Sequence, residues 1–422
     1  MILRTDKPIQ THTKPKVVLL GTGFAALSLM QHLRTDRYEL IVVSPRNHFV
    51  FTPLLPSTTV GTIEFRSIIE PIRHALDTKD FTFYQARCLS VDPDTKLITC
   101  EGVHDKETFL LSYNYLVVAV GAISRTFNIP GVEQYAFLLK ELADARAIRQ
   151  RIIECFERAA TPLQNTDERQ RLLHFVIVGG GPTGVEFAAE LHDFLHQDLR
   201  KSYPDLMPDV RITLVEGTKT ILNSFDATLS SYAMRHFSRT NIEVKTEATV
   251  KEIRERDILL ADGSTLTHGL VVWSTGIGAT PLVKSLPFPK DRAERLQTDE
   301  HFCVEKNSSI YAIGDCATRQ GDALPATAQV AIQEGRYLAK ELNRIAAGKP
   351  LKGFKYRHLG MLAYIGERRA LADLPKFKLK GFGTVLFWRS AYLTKLVSTK
   401  NKILVLFDWM KTFVFGRDIS RF

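Results

Sequence analysis

Short apolar runs, each closed by glycine, punctuate the chain, and between them come stretches in which apolar and polar residues alternate. Lys16 to Leu20 (KVVLL) and Phe175 to Val178 (FVIV) are buried-strand patterns, each followed by glycines and then by apolar residues at helical spacing, to about Leu33 and Leu191. Both continue with a second apolar run, Glu39 to Val43 and Arg211 to Glu216 (RITLVE). Alternating runs follow around Thr82, Thr95 and Phe109, divided by the turn DPDT at Asp92 to Thr95. Their counterparts lie around Val244 and Ile258, with the turn ADGS beginning at Ala261. These read as β-meanders, three-stranded in the first half. Each half closes on a strand ending in glycine, LVVAVGA from Leu116 to Ala122 and LVVWSTG from Leu270 to Gly276. The shared order of parts, and the similar separations Gly21 to Gly121 and Gly179 to Gly276, mark an internal repeat.

The glycines give the repeat its chemistry. Gly179, Gly181 and Gly184 stand at G-x-G-x-x-G spacing, and GTGFAA matches with Gly21, Gly23 and, in the third position, Ala26. At such a strand exit the first glycine permits the turn, the second lets backbone approach a pyrophosphate, and the third lets helix pack on strand. The phosphates then face free N–H groups at a helix N-terminus. Two such sites on one chain suggest electron transfer between two dinucleotides, because hydride transfer needs the rings within about 3 to 3.5 Å. The first would hold FAD, and the second a nicotinamide nucleotide. Glu216 ends the second strand of the second half, where a carboxylate accepts ribose hydroxyls and repels a 2′-phosphate, so NADH is expected over NADPH. It lies further from Gly179 than the usual ~20 residues, and the loop Pro204 to Pro208 is expected to absorb the excess. The first half has Ser44 at the corresponding place.

After Thr298 comes one more strand, SIYAIGD (Ser309 to Asp315), then a helix from about Ala326 to Leu342. A strand ending in Gly-Asp here is expected to rejoin the first domain, with Asp315 accepting hydrogen bonds from the flavin's polyol chain. The fold class is therefore α/β: two Rossmann-like dinucleotide-binding domains, a two-dinucleotide flavoprotein arrangement, plus a C-terminal membrane-associated segment. The expected domains are 15–128 with 297–350 for FAD, 129–296 for NADH, and 351–422 for a hairpin and amphipathic anchoring helices. The hairpin is MLAYIG and RALADL, joined through Glu367 and Arg368.

Charge sharpens the reading of that last segment. Net charge is +10, and from Lys376 onward ten Lys and Arg face two acids, Asp408 and Asp418. Val385 to Val397 and Ile403 to Phe415 are helical in pattern and too short to span a bilayer, which needs about 20 residues. Ile403, Leu406, Phe407, Met410 and Val414 share one face, with Asp408, Lys411 and Thr412 opposite. Trp388, Tyr392 and Trp409 are residue types favoured at the lipid headgroup level. Basic residues interleaved with Phe, Trp and Leu favour a membrane surface over nucleic acid. The 422 residues suffice for two or three domains. Five cysteines without C-x-x-C or zinc spacing fit reduced thiols, with Cys316 reading as packing. The N-terminus lacks a secretory h-region and reads as a disordered lead-in to the first strand.

Several longer stretches carry a family resemblance: SPRNHFVFTPLLPSTTVGTIEFRSIIEPIR (Ser44 to Arg73), VGGGPTGVEFAAEL, VVWSTGIGATPL, YAIGDCA and PATAQVAIQEGRYLA (Pro325 to Ala339). They resemble the two-dinucleotide flavoproteins, and among these the type II NADH:quinone oxidoreductases, the alternative, non-proton-pumping NADH dehydrogenases. The resemblance is closest to the yeast and plant mitochondrial-type members, which also have serine at Ser44. It implies non-covalent FAD on Gly21, Gly23, Ala26 and Asp315, and NADH as substrate on Gly179, Gly181, Gly184 and Glu216. It places Glu186 near the nicotinamide and flavin. Gln329 and Gln333, four apart on one helix face, would meet the flavin and the quinone pocket, so the catalytic expectation is Glu186, Gln329 and Gln333. Quinone, a membrane surface and a second copy in a homodimer are the expected partners, with no nucleic acid and no metal. The location would be peripheral, on the cytoplasmic face of a bacterial inner membrane or the matrix face of the mitochondrial one. No D-x-[DN]-x-[DN]-G calcium loop is present. HDFLH, His192 to His196, imitates a zinc motif with Asp193 in place of the glutamate base.

Two alternatives stay open. Sulfide:quinone oxidoreductase would need a persulfide-carrying cysteine pair, for which the sequence offers no place; disulfide reductases carry a cysteine pair on the helix after the first fingerprint, and here that helix, ALSLMQHL, has none. A flavin-bearing, NADH-binding interaction protein resembling apoptosis-inducing factor would use its charge on nucleic acid.

Overall fold

The computed structural model describes residues 14–75, 80–162, 164–304 and 309–420; the lead-in before Lys14 lies outside the described residues. The chain divides into two compact units, Met1–Phe49 with Pro71–Ala122 and Ala279–Tyr356, and Val50–Glu70 with Ile123–Gly278 and Arg357–Phe422.

In the first unit a five-stranded parallel sheet runs in the order Ile310–Ala312, Tyr115–Val118, Lys16–Leu20, Glu39–Val43, Thr82–Tyr84. Apart from the edge strand Thr82–Tyr84, which is exposed on one face, its strands are largely apolar on both faces because helices and a meander cover both, as parallel sheets require. Helix Phe24–His32 leaves the central strand and packs against helix Ala328–Ile345, close enough that a Cβ on Gly335 would sit 2.1 Å from the Ala25 carbonyl oxygen. The meander comprises Ala86–Asp92, Leu97–Gly102 and Thr108–Ser112. Its inward residues, including Ile98 and Cys100, join Val18, Leu20, Leu116 and Cys316 in one core, where Cys316 is indeed a packing residue.

The second unit repeats the plan. Its parallel sheet runs Phe137–Leu138, Leu270–Trp273, His174–Val178, Arg211–Val215, Ile242–Lys245, and its meander is Val250–Ile253, Asp257–Leu260 and Thr265–Thr267. Even the turn geometry repeats. Gly21 and Gly179 sit at φ 111° and 113° and donate to Val43 and Val215 carbonyls, both at 2.8 Å.

The expected meanders need one adjustment in each half. The runs at Thr82 and Val244 pair in parallel with the second sheet strand, extending each sheet by one strand. An edge strand of three or four residues alternates whichever sheet it joins, so pattern alone could not separate these runs from the hairpins after them. The distance to Glu216 is also taken up differently. Helix Pro182–Phe194 continues through a π-turn at Leu195–Leu199 to Ser202, and a 3-10 segment follows at Pro204–Asp209.

The compact units also divide the chain differently from the expected domains, since 50–70 and the tail both fall in the second unit. Side chains from the tail explain this. Asp408 accepts from Ser67 Oγ at 2.6 Å and Glu64 N at 3.0 Å, while Asn401 Nδ2 donates to the Ser67 and Ile69 carbonyls at 2.9 Å. Lys411 pairs with Glu64 at 2.6 Å.

Strands Met361–Gly366, Arg369–Asp373 and Lys378–Gly381 form an antiparallel sheet, and helices Phe382–Lys395 and Thr399–Phe415 follow. The hairpin turn places Glu367 and Arg368 at φ 48° and 57°. Positive φ at both central residues is the geometry of a tight hairpin turn, normally filled by Asn-Gly. Here the turn is held from outside by Asp193, whose Oδ1 accepts from Glu367 N at 3.0 Å, and from within by the Tyr364 hydroxyl, which accepts from Arg368 N at 3.2 Å.

Candidate active site

At the first fingerprint, an ideal Cβ on Gly21 would meet the Ala119 carbonyl oxygen at 2.3 Å, whereas one on Gly23 would meet nothing within 4 Å. The strand exit needs its first glycine for packing and leaves its second open, the shape that lets a phosphate reach backbone N–H groups. Ala26 is fully buried in the following helix, so its methyl fits where the other half has glycine. Beyond the second strand Ser44 Oγ shares a hydrogen bond with Thr22 Oγ1 at 3.2 Å.

Asp315 lies in the turn Gly314–Cys316, whose Gly314 has φ +76°. A neighbouring carboxylate fixes that turn: Glu334 Oε2 accepts from Gly314 N at 2.6 Å. Burial pushes the Glu334 carboxyl up to about 8. Glu334, Asp315, Thr318, Arg295 and Arg319 line a cavity of about 10 Å³ together with apolar residues such as Leu324 and Val330, room for about one water. The sequence reading missed Glu334, although it directly follows Gln333. Gln329 and Gln333 do share a face of helix Ala328–Ile345, and Gln333 Nε2 donates to the Gln329 carbonyl at 3.2 Å.

The second fingerprint differs in detail. A Cβ on Gly184 would lie 1.9 Å from the Gly179 carbonyl oxygen, so no side chain is tolerated there, and a Cβ on Gly181 would again meet nothing within 4 Å. Glu216 turns back onto the loop, accepting from Gly180 N at 2.6 Å and Thr218 N at 2.7 Å. The carboxylate thus braces the loop, and its remaining lone pairs are what a ribose could use.

Glu186, two residues beyond Gly184, is buried, and its Oε1 accepts from Tyr364 N at 3.0 Å and Trp388 Nε1 at 3.3 Å. Burial raises its carboxyl to about 8, against the pull of those two donors. One helical turn on, Glu190 accepts from Ser57 Oγ and Thr62 Oγ1, each at 2.7 Å, and lies 3.5 Å from the buried Arg417. Asp193 accepts from the Tyr364 hydroxyl at 2.6 Å. Burial alone would raise Asp193, but His192, that hydroxyl and Glu367 N hold it below the usual carboxylate value. Asp193 in the HDFLH run is therefore committed to the hairpin. The spacing of Glu186, Glu190 and Asp193 along EFAAELHD hints at one polar helix face, but Trp388, Tyr364 and Arg417 carried no local signal.

The tail helices turn a mixed face inward, with Val385, Trp388, Val405 and Trp409 buried beside Thr384, Asn401 and Asp408. Trp388 and Trp409 are 3% and 4% exposed, so both are core residues of this unit, and Tyr392 packs edge-on against Trp388. This corrects the expected headgroup position: Trp388 meets the Trp409 ring at 6.2 Å and its N–H is taken by the buried Glu186, so both indoles bury their rings within the unit. The outward face is apolar, with Leu386 67%, Phe413 72% and Phe415 83% exposed and Ile403, Leu406, Phe407, Met410 and Val414 beside them. Among the described residues, no helix is long and apolar enough to cross a membrane.

A family model for pyridine nucleotide-disulphide oxidoreductases matches residues 15–335, and one for the NDH2 C-terminal domain matches residues 358–418. A probable NADH dehydrogenase of Dictyostelium discoideum is 45% identical across 100% of this chain and 94% of its own. The mitochondrial external NADH-ubiquinone oxidoreductase 2 of Saccharomyces cerevisiae is 44% identical, over 96% of this chain and 82% of its own. NDH2 of Plasmodium falciparum, solved with NADH, superposes with a TM-score of 0.92 at 28% identity, covering 97% of this chain and 100% of that one. The sulfide:quinone oxidoreductase of Aquifex aeolicus shares the fold, with a TM-score of 0.73 at 17% identity over 96% of both chains. By its full-length relatives and its C-terminal domain, the chain belongs to the pyridine nucleotide-disulphide oxidoreductases and, within them, to the type II NADH dehydrogenases.

Proposed function

We propose that this protein oxidises NADH with non-covalently held FAD and passes two electrons to a quinone at a membrane surface, moving no protons across it. The observation that carries the reading is the repeated cradle: two strand exits of matching geometry, each with its second glycine open to a phosphate. The name of the yeast relative describes NADH-ubiquinone chemistry, and those of the plant relatives NAD(P)H-ubiquinone chemistry.

The flavin supplies hydride acceptance and electron release when bound. In the first unit Gly23 leaves room for its pyrophosphate, and Asp315, on the turn braced by Glu334, accepts from its polyol hydroxyls. In the second, Gly181 leaves room for the NADH pyrophosphate, while Glu216 braces the loop and disfavours a 2′-phosphate. Glu186 holds a proton at its buried carboxyl near neutral pH. Gln329 and Gln333 are neutral amides that can donate to quinone carbonyls without adding charge.

The membrane reading rests on the outward face of the tail. Large apolar side chains are exposed in one row while basic residues flank the helices, which is how an interfacial helix pair lies in a headgroup layer. The mitochondrial names of the relatives are in keeping with this. We extend the proposal to a homodimer, which sedimentation at micromolar concentration tests.

The function is tested by releasing the flavin with acid, identifying it as FAD, and measuring NADH-dependent reduction of a ubiquinone analogue. FMN in place of FAD, or no quinone reduction by flavin-replete protein, contradicts the reading.

A further inference from the structure

In the second unit, a cavity of about 110 Å³ opens between the hairpin and the tail helices. Its walls include Tyr364, Trp388, Trp409 and Phe413, and two guanidinium groups, Arg368 and Arg389, reach it. Arg389 lies over the Trp409 ring at 4.9 Å, and Arg368 over the Phe413 ring at 5.2 Å. Among the described residues no carboxylate pairs with either, and Arg389 Nε is buried without a hydrogen-bond partner. Burial lowers Arg389, and the like charge of Arg368 adds to that effect against the pull of Tyr364 and Glu190.

The acids of the cavity are already committed. Glu190 is satisfied by Ser57, Thr62 and Arg417, and Asp193 by Tyr364 and Glu367 N. Arg417 is shared between Glu190 and Asp198, the latter at 2.9 Å. What is left over is a pair of neighbouring cations, one of them partly desolvated, an arrangement that is costly without an anion.

The rim says what kind of anion. Phe413 belongs both to the cavity wall and to the exposed apolar row, and Leu386, three residues before Arg389 on the same helix, is also exposed. A ligand that puts an anionic group on the guanidiniums therefore lays its remainder on apolar surface. We propose that this cavity binds the phosphoryl group of an anionic phospholipid, held by Arg368 and Arg389, with the acyl chains along Phe413, Met410 and Leu386. The proposal rests on the membrane reading above and makes it specific: the tail would recognise one lipid class as well as adsorb to a surface. Guanidinium suits the task because its planar fork binds phosphate oxygens bidentately while stacking on an aromatic ring.

The sequence holds three tryptophans, and two of them line the cavity, so their emission reports its occupancy. Full-length, flavin-loaded protein is titrated with dihexanoyl phosphatidylglycerol below its micelle concentration, with inorganic phosphate in a parallel arm. The expected result is a saturable emission change with the lipid, at least tenfold weaker in Arg368→Gln/Arg389→Gln, and at least tenfold weaker with phosphate alone. Should Arg389→Gln not fold, the exposed Arg368→Gln serves alone, with at least threefold weakening expected. Unchanged lipid affinity in the variants, or no saturation in the wild type, overturns the site. Phosphate binding as tightly as the lipid overturns the lipid assignment in favour of a free-anion site. Flotation separates this from the membrane reading. Wild-type protein that fails to float with phosphatidylcholine vesicles containing phosphatidylglycerol sinks the membrane reading itself. A double variant that floats with undiminished preference for phosphatidylglycerol sinks the cavity alone.

Discussion

The two glycine loops share one backbone and differ in the side chains set around it. In the first unit the third position is Ala26, the second strand ends at Ser44, and the helix position matching Glu186 is Ser28, whose hydroxyl donates to the Ile332 carbonyl at 2.7 Å. In the second these are Gly184, Glu216 and Glu186. Every substitution in that series replaces a neutral, self-satisfied contact by one that is tighter or charged. The repeat therefore supplies the phosphate cradle twice, and the side chains decide which nucleotide each cradle takes. The covering elements differ as well: helix Ala328–Ile345 closes on the first fingerprint helix, whereas the hairpin and tail close on the second.

At that helix position ionisation gives the largest contrast, although the first unit has a raised carboxyl of its own at Glu334. Ser28 does not titrate, but the Glu186 carboxyl, raised from 4.5 to about 8, keeps its proton in the folded state while the unfolded chain releases it. The proton-bearing fold is favoured below pH 4.5, and that advantage is lost as pH rises toward 8. The second unit should lose on the order of 4 kcal/mol across that range, and Glu186→Gln should abolish that share of the slope. Denaturant unfolding followed by tryptophan emission reads it, because all three tryptophans lie in the second unit. A wild-type slope matching that of the variant would mean the two helix positions are equivalent.

The steric contrast comes next. Gly184→Ala should cost about 3 kcal/mol, the upper end of ordinary overpacking, because the added methyl meets backbone, and NADH binding should fall with it. Ala26→Gly in the other half should cost only about 1 kcal/mol. Thermal unfolding and NADH titration calorimetry check the pair, and equal losses would erase the distinction.

At the strand ends, Glu216→Gln should narrow the preference for NADH over NADPH by about 2 kcal/mol, the scale of a charged hydrogen bond. The amide retains an oxygen to accept from Gly180 N and gives up the bond from Thr218 N, so the loop keeps one of its two braces. An unchanged NADH/NADPH ratio in kcat/KM would leave Glu216 a purely structural brace. Last comes the effect at Gln333, where a leucine should slow flavin reoxidation by quinone about tenfold, roughly 1.4 kcal/mol of barrier, and spare reduction by NADH. Equal slowing of both halves would mean that the residue only supports the flavin.

Much of this was legible in the sequence because the repeat is written in glycines and apolar runs, which report backbone geometry locally. Gly21, Gly179, Asp315 and the Glu367–Arg368 turn all stand where spacing placed them. Residues that act through distant partners were not legible. Trp388 is far in sequence from Glu186, and nothing local to either shows that an indole would serve the carboxyl instead of sitting among lipid headgroups. The inward turn of Asp408 was hidden for the same reason, since its partners Ser67 and Glu64 lie at the other end of the chain. Amphipathic periodicity showed that the tail helices have two faces. It could not show that Asn401 and Asp408 pack inward beside Trp388 and Trp409.

Anaerobic stopped-flow with sequential mixing tests the central claim most directly. NADH should bleach the flavin absorbance in a first phase, and a ubiquinone analogue mixed afterwards should restore it in full, with no oxygen present. NADH that leaves the flavin oxidised, or reduced protein that the quinone fails to reoxidise, would contradict the account.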